Sequence, residues 1–201
     1  MKMQNISKTK VILFSALALA LSACASAPVL APPGAFGSGQ TVQLDRNWSD
    51  LSATWQQNNK KVRLLTIDGM LLNRLYVSQG LGAEDPLMIG PQGNRNTHPA
   101  PRPAANMSLS EQMEYVGRAL TEMGYLRVET KTPRPVTVSG QRGIRFEISM
   151  RTTDGLAMSG LAQAVNKNGL NYYIIYLAPS AHYYGVTLPN AVKVMDSAAI
   201  Q

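Results

Sequence analysis

Reactive side chains are scarce in this sequence, with one cysteine and two histidines in 201 residues. A lone cysteine cannot close a disulfide within the chain. Two histidines, His98 and His182, far apart in sequence, give no metal-ligand spacing. No phosphate-binding glycine loop, His-Glu-x-x-His helix or Gly-x-Ser-x-Gly elbow is present. The carboxylate pairs Glu84-Asp85 and Glu111/Glu114 suit a turn and a helix start. Charge is also sparse, at 15% Asp, Glu, Lys and Arg. No apolar run approaches the roughly 20 residues that a helix needs to cross a bilayer. These absences argue against an enzyme and against a resident cofactor.

What is present is concentrated at the N-terminus. Lys2, Lys8 and Lys10 form a basic start, and Val11 to Leu21 is apolar except for Ser15. A basic segment followed by a short apolar one is the pattern of a secretory signal. It ends in Leu21-Ser22-Ala23-Cys24, whose cysteine is the single one of the chain. This tetrapeptide resembles the lipobox of bacterial lipoprotein precursors. The resemblance implies cleavage before Cys24, diacylation of its thiol and acylation of the new amino group. Residues 1–23 would then be a signal peptide and Cys24 the membrane anchor. Three acyl chains exceed the two signals that stable anchoring requires. The residue after the cysteine is Ala25 rather than an acidic one, which by the same resemblance implies the outer membrane, facing the periplasm.

Residues 24–40 are rich in Ala, Pro, Gly and Ser and carry no charge. Such a segment buries too little surface to repay its ordering, so it is expected to be a flexible tether. The formal charge of +7 falls to +4 once the three lysines of the leader are removed. The remaining excess is spread along the chain, as on an ordinary solvated surface, and gives no nucleic-acid footprint.

A single domain is expected over 41–201. Trp48 and Trp55 read as core or interface aromatics. Val62 to Ile67 and Met70 to Ser78 read as a hairpin about Asp68-Gly69, a dipeptide suited to a type I′ turn. Residues 79–106 form a Pro/Gly-rich insert that holds Arg95 and His98. Ser108-Leu109-Ser110-Glu111 has the capping-box pattern. Leu109, Met113, Val116, Leu120 and Met123 then form one apolar stripe, and Gly124 suits the residue that ends a helix.

Leu126 to Thr132, Val136 to Val138 and Ile144 to Thr153 read as strands. In the last, Ile144, Phe146, Ile148 and Met150 alternate with Arg145, Glu147, Ser149 and Arg151, the pattern of a sheet with one buried face. Asp154-Gly155 and Asn166-Lys167-Asn168-Gly169 are turns that lead into Leu156–Val165 and Leu170–Ala178. Ser180 to Gly185 reads as a loop, and a last helix begins at Leu188-Pro189. The order gives an α+β fold, an antiparallel β-meander with helices packed on it. The meander Ile144–Ala178, with Tyr172-Tyr173-Ile174-Ile175-Tyr176, and the terminal Val192-Lys193-Val194-Met195-Asp196-Ser197 resemble the Mog1/PsbP-like fold. Members of that fold mostly bind partners, an implication by analogy alone.

Three functions are compatible with these features. The first is an envelope lipoprotein whose non-catalytic domain binds another protein or serves envelope assembly. Its partners would be membrane lipid, through acylated Cys24, and an envelope protein. The second is a module for a small apolar molecule or a glycan, using a patch of Tyr172, Tyr176, His182, Tyr183 and Tyr184. Tyrosine is favoured at interfaces for its apolar body and polar tip. The third is a hydrolase using His182 with Ser180 and Asp154.

Overall fold

The computed structural model describes residues 28–55, 59–88 and 100–201. The leader 1–23, Cys24, Arg95 and His98 lie outside them. The chain forms β1 (Val29–Ala31), β2 (Gly34–Gly37), β3 (Gln40–Leu44), β4 (Trp48–Asp50), β5 (Val62–Thr66) and β6 (Arg74–Ser78). Helix α1 (Leu109–Glu122) precedes the long strands β7 (Leu126–Val138), β8 (Gln141–Arg151), β9 (Ala157–Lys167) and β10 (Leu170–Pro179). Helix α2 (Tyr183–Asp196) and β11 (Ala199–Ile200) complete the order.

Eight strands form one antiparallel sheet in the order β1-β4-β5-β6-β10-β9-β8-β7. Strand β10 runs through its middle and is buried along nearly its whole length, as its continuous apolar sequence requires. Its odd-numbered side chains, Tyr173, Ile175 and Leu177, pack with Tyr115, Val116, Ala119 and Leu120 of α1. The even-numbered Ile174, Tyr176 and Ala178 face the other way, toward Ala191, Val194 and Met195 of α2. The helices therefore cover opposite faces. A second, three-stranded sheet in the order β11-β3-β2 shares the α2 face, with Val42, Leu44 and Phe36 in that core.

Helix α1 starts as the sequence implies. The Ser108 N–H donates to Glu111 Oε2 at 2.7 Å, and the Glu111 N–H donates to Ser108 Oγ at 3.3 Å. Gly124 ends it with φ +94°. The buried stripe is rotated from the expected one. Gln112, Tyr115, Val116, Ala119 and Leu120 are buried, while Leu109, Met113 and Met123 are only partly so. In β8 the alternation holds, with Ile144, Phe146, Ile148 and Met150 in the α1-side core.

Several boundaries differ from the sequence reading. The expected tether is ordered from Val29 onward, because Val29–Ala31 pairs with β4 and Gly34–Gly37 with β3. Asp68-Gly69 lies within a longer connection, 67–73. There the buried Asn73 carboxamide accepts from Thr66 Oγ1 and the Ile67 N–H and donates to Asp68 Oδ2 at 2.7 Å. The described parts of the insert are pinned to the domain. Leu81, Leu87 and Met88 are buried, and Asn171 and Asn166 donate to the carbonyls of Ala104 and Ala105. Strand β7 continues through Pro133 and Pro135, which an edge strand tolerates.

Helix α2 begins at Tyr183, six residues before Pro189, so the expected loop ends at His182. Pro189 lacks the N–H that would bond to the Gly185 carbonyl. Gly185 is exposed, so water can take that bond.

Candidate functional site

The aromatic residues singled out from the sequence converge where β10 passes into α2, with one exception. The ring of Tyr176 is buried beneath the helix. Its hydroxyl lies 3.1 Å from the carbonyl oxygens of both Tyr183 and Tyr184 and is also bonded to Thr187 Oγ1. Burial pushes this phenol up to about 12, and the Thr187 hydrogen bond only partly offsets it. Tyr176 is thus a neutral buried peg that fixes the first turn of α2 to the sheet.

Tyr184 is half-buried. It stacks on Tyr176 with ring centroids 5.5 Å apart at 24°, and its hydroxyl donates to the Gly160 carbonyl at 3.4 Å. On the opposite face of the sheet, a Cβ at Gly160 would lie 2.7 Å from Leu177 Cδ2 in the α1-side core. Burial raises the Tyr184 phenol as well. Tyr183 is half-buried and meets the exposed His182 edge-on, with ring centroids 5.1 Å apart.

The exception is Tyr172. It sits four residues earlier on β10, roughly 13 Å along the strand. It is buried with Val138, Val165 and Ile200, its ring against Gly80. The five residues therefore do not form one exposed patch, and Tyr172 and Tyr176 are structural. Of the five, His182 is exposed, and Tyr183 and Tyr184 are partly so.

Ser180, His182 and Asp154 are not brought into a relay. Ser180 Oγ is 2.8 Å from Ser159 Oγ, and Asp154 accepts from the Thr152 hydroxyl. No hydrogen bond joins the three among the described residues. Nor do three or more His, Cys, Asp or Glu side chains group as metal ligands among those residues.

The sequence reading did not anticipate the exposed apolar side chains at the end of the sheet where His182 lies. Arg74 pairs with Leu177, Pro179 with Met158, Met158 with Met150 and Arg151 with Leu126. This register places the 67–73 connection, the 152–156 turn, the start of β7 and the start of α2 at one end of the sheet. Met70, Leu71, Leu126, Leu156 and Val186 are exposed there, Leu71 most of all at 75%. Leu71 and Leu156 follow the turn glycines Gly69 and Gly155, where a solvated turn would ordinarily carry polar residues.

No protein-family model matches this sequence, and no curated protein does. Solved structures do match. Cyanobacterial PsbP (CyanoP) from Synechocystis sp. PCC 6803 is similar at 10% identity with a TM-score of 0.55, over 89% of this chain and 96% of that one. The fold is PsbP/Mog1-like. A point mutant of Mog1 is similar at 11% identity with a TM-score of 0.51, over 87% of this chain and 96% of that one. LpqN of Mycobacterium tuberculosis, described as involved in cell envelope biogenesis, aligns at 10% identity with a TM-score of 0.35, over 89% of this chain and 87% of that one. The α+β architecture expected from the order of elements is that of the PsbP/Mog1-like fold.

Proposed function

We propose that the chain is the precursor of a membrane-anchored cell-envelope lipoprotein whose non-catalytic domain binds another protein. The observation that carries this reading is Leu21-Ser22-Ala23-Cys24, closing a short apolar segment behind a basic N-terminus. Three acyl chains on Cys24 would hold the domain at the membrane. Ala25 favours the outer membrane, with the domain facing the periplasm.

Among the described residues no helix is long and apolar enough to cross a membrane, so attachment by lipid supplies what the domain lacks. The protein-binding part of the proposal draws on Leu71, Leu156 and Val186, exposed apolar side chains at the same end of the sheet as His182. Clustered exposed apolar groups are characteristic of contact surfaces. The glycan reading loses its main support once Tyr172 and Tyr176 are buried.

Intact mass of the protein extracted from membranes, wild type beside Cys24→Ser, tests the anchor. The expected wild-type mass is that of residues 24–201 plus three acyl chains, with the acylation lost in the variant. An unmodified chain in the soluble fraction would sink the proposal.

A further inference from the structure

The geometry points to the β1–β4 edge of the large sheet as the face that lies against the lipid headgroups, with Val29 and Leu30 as its apolar contacts. This rests on Cys24 being the anchor. Only residues 25–28 separate Cys24 from Val29. Fully extended, that link reaches at most about 18 Å. The opposite edge, β7, lies seven strand spacings away, or roughly 33 Å. An anchor at Cys24 therefore keeps β1 near the bilayer in every orientation and lets β7 point into the periplasm.

The surface of this edge suits that neighbour. Val29 and Leu30 are 60% and 62% exposed, although both belong to a hydrogen-bonded strand. The carboxylates close by are neutralised. Asp50, opposite Val29, is held by the Arg63 guanidinium, and Asp45 lies 3.1 Å from Lys193 Nζ. Burial alone would raise the Asp50 carboxyl, but hydrogen bonds from Ser52 and Arg63 outweigh it and keep the group ionised and paired. Arg46, in the turn that leads into β4, is exposed and adds positive charge. The edge thus offers apolar side chains and no uncompensated carboxylate to an anionic surface.

Two side chains alone would bind a membrane weakly. A short tether converts docking into an intramolecular event at millimolar effective concentration, so a small preference is enough to orient the domain.

The single cysteine makes a direct test possible. The mature chain 24–201 is coupled through its Cys24 thiol to maleimide lipid in nanodiscs of phosphatidylethanolamine and phosphatidylglycerol. The nanodiscs also contain a lipid with a gadolinium chelate on its headgroup. Amide NMR line broadening then reports which residues approach the headgroups. The amides of Val29, Leu30, Trp48 and Ser49 are expected to broaden far more than those of Leu71, Leu126 and Leu156. Val29→Ser/Leu30→Ser is expected to lower the docked-to-free ratio about tenfold or more and to even out the pattern. Broadening spread over the whole surface, or greatest at Leu71 and Leu156, would overturn the inference. So would a pattern that the double variant leaves unchanged, or a dimeric mass for the uncoupled chain that this variant abolishes. Chemical coupling does not depend on whether a cell acylates Cys24. Failure here therefore leaves the intact-mass result standing, whereas failure there removes the anchor on which the inference rests, whatever the coupled chain shows.

Discussion

The two edges of the large sheet are built on opposite plans. Strand β7 is 13 residues long and carries Arg127, Glu129, Lys131 and Arg134. Its ladder with β8 is interrupted twice, and Arg127 and Thr132 have positive φ (51° and 55°) near those interruptions. Pro133 and Pro135 remove two more donors. Charges, bulges and prolines are the means by which a long edge is kept from pairing with another chain. Strand β1 is limited instead by its shortness and by Pro28 and Pro32-Pro33 on either side. It is three residues long, uncharged, and exposes Val29 and Leu30. A charged edge belongs in open solution, whereas one that exposes apolar side chains suits a covered place. The contrast follows chain position, since the apolar edge is the one next to Cys24.

The β1 side depends on what lies beneath it, so Trp48→Ala should break the comparison most severely. Trp48 is fully buried and pairs with Ala31. Its truncation is expected to cost about 3–5 kcal/mol by urea unfolding, with the β1–β4 edge losing amide protection first. Arg63→Met comes next. It leaves the buried Asp50 carboxylate with the Ser52 amide but without its cation. About 1–2 kcal/mol should be lost, because Arg63 itself is partly exposed and screened.

The pH dependence of that pair has a definite sign. The folded state holds the Asp50 carboxyl below its ordinary value. The stability this confers is present above the unfolded pKa of about 3.9 and is lost as pH falls through the lower folded value. Asp50→Asn should therefore flatten the acid limb of stability below about pH 4, read as unfolding free energy against pH.

Pro133→Val/Pro135→Thr tests the other edge. Stability should stay within about 0.5 kcal/mol, while light scattering shows the protein self-associating once the guards are removed. The smallest effect is expected from Val29→Ser/Leu30→Ser on the free domain, within about 0.5 kcal/mol by thermal or urea unfolding. A large loss there would mean that these side chains serve the fold rather than a neighbour.

What was legible in the sequence was local. The Ser108-Glu111 box, the Gly124 stop, the β8 alternation and the Asn168-Gly169 turn depend on residues a few positions apart. Asn168 and Gly169 take φ 52° and 76°, the two left-handed residues that such a turn requires. What was not legible depends on distant partners. Val29–Ala31 and Gly34–Gly37 are strands because β4 and β3 present edges to them. Their own Pro- and Gly-rich sequence offers no reason to extend. Pro189 suggested a helix start and sits inside a helix instead, because Tyr176 secures the turn before it. The tyrosines were visible as a group, and the apolar run of β10 marks a central strand, but the sequence could not show that Tyr172 packs with Val138 and Ile200 while Tyr176 lies under α2. The exposure of Leu71 and Leu156 was not legible, since Leu71 lies in the apolar run Met70-Leu71-Leu72 and Leu156 opens the expected strand Leu156–Val165, so both read as strand residues.

The pairing of β11 with β3 bears on the order of events during synthesis. Ala199 lies opposite Thr41, and the Thr41 hydroxyl donates to the Ala199 carbonyl at 3.4 Å, across 158 residues of chain. The three-stranded sheet is therefore incomplete until residues 199–200 have arrived, and contacts of such separation form late. For a chain exported unfolded, the segment around Cys24 would emerge long before the part that completes the neighbouring sheet. On the lipoprotein reading proposed above, processing at Cys24 would precede the closure of the three-stranded sheet by Ala199–Ile200.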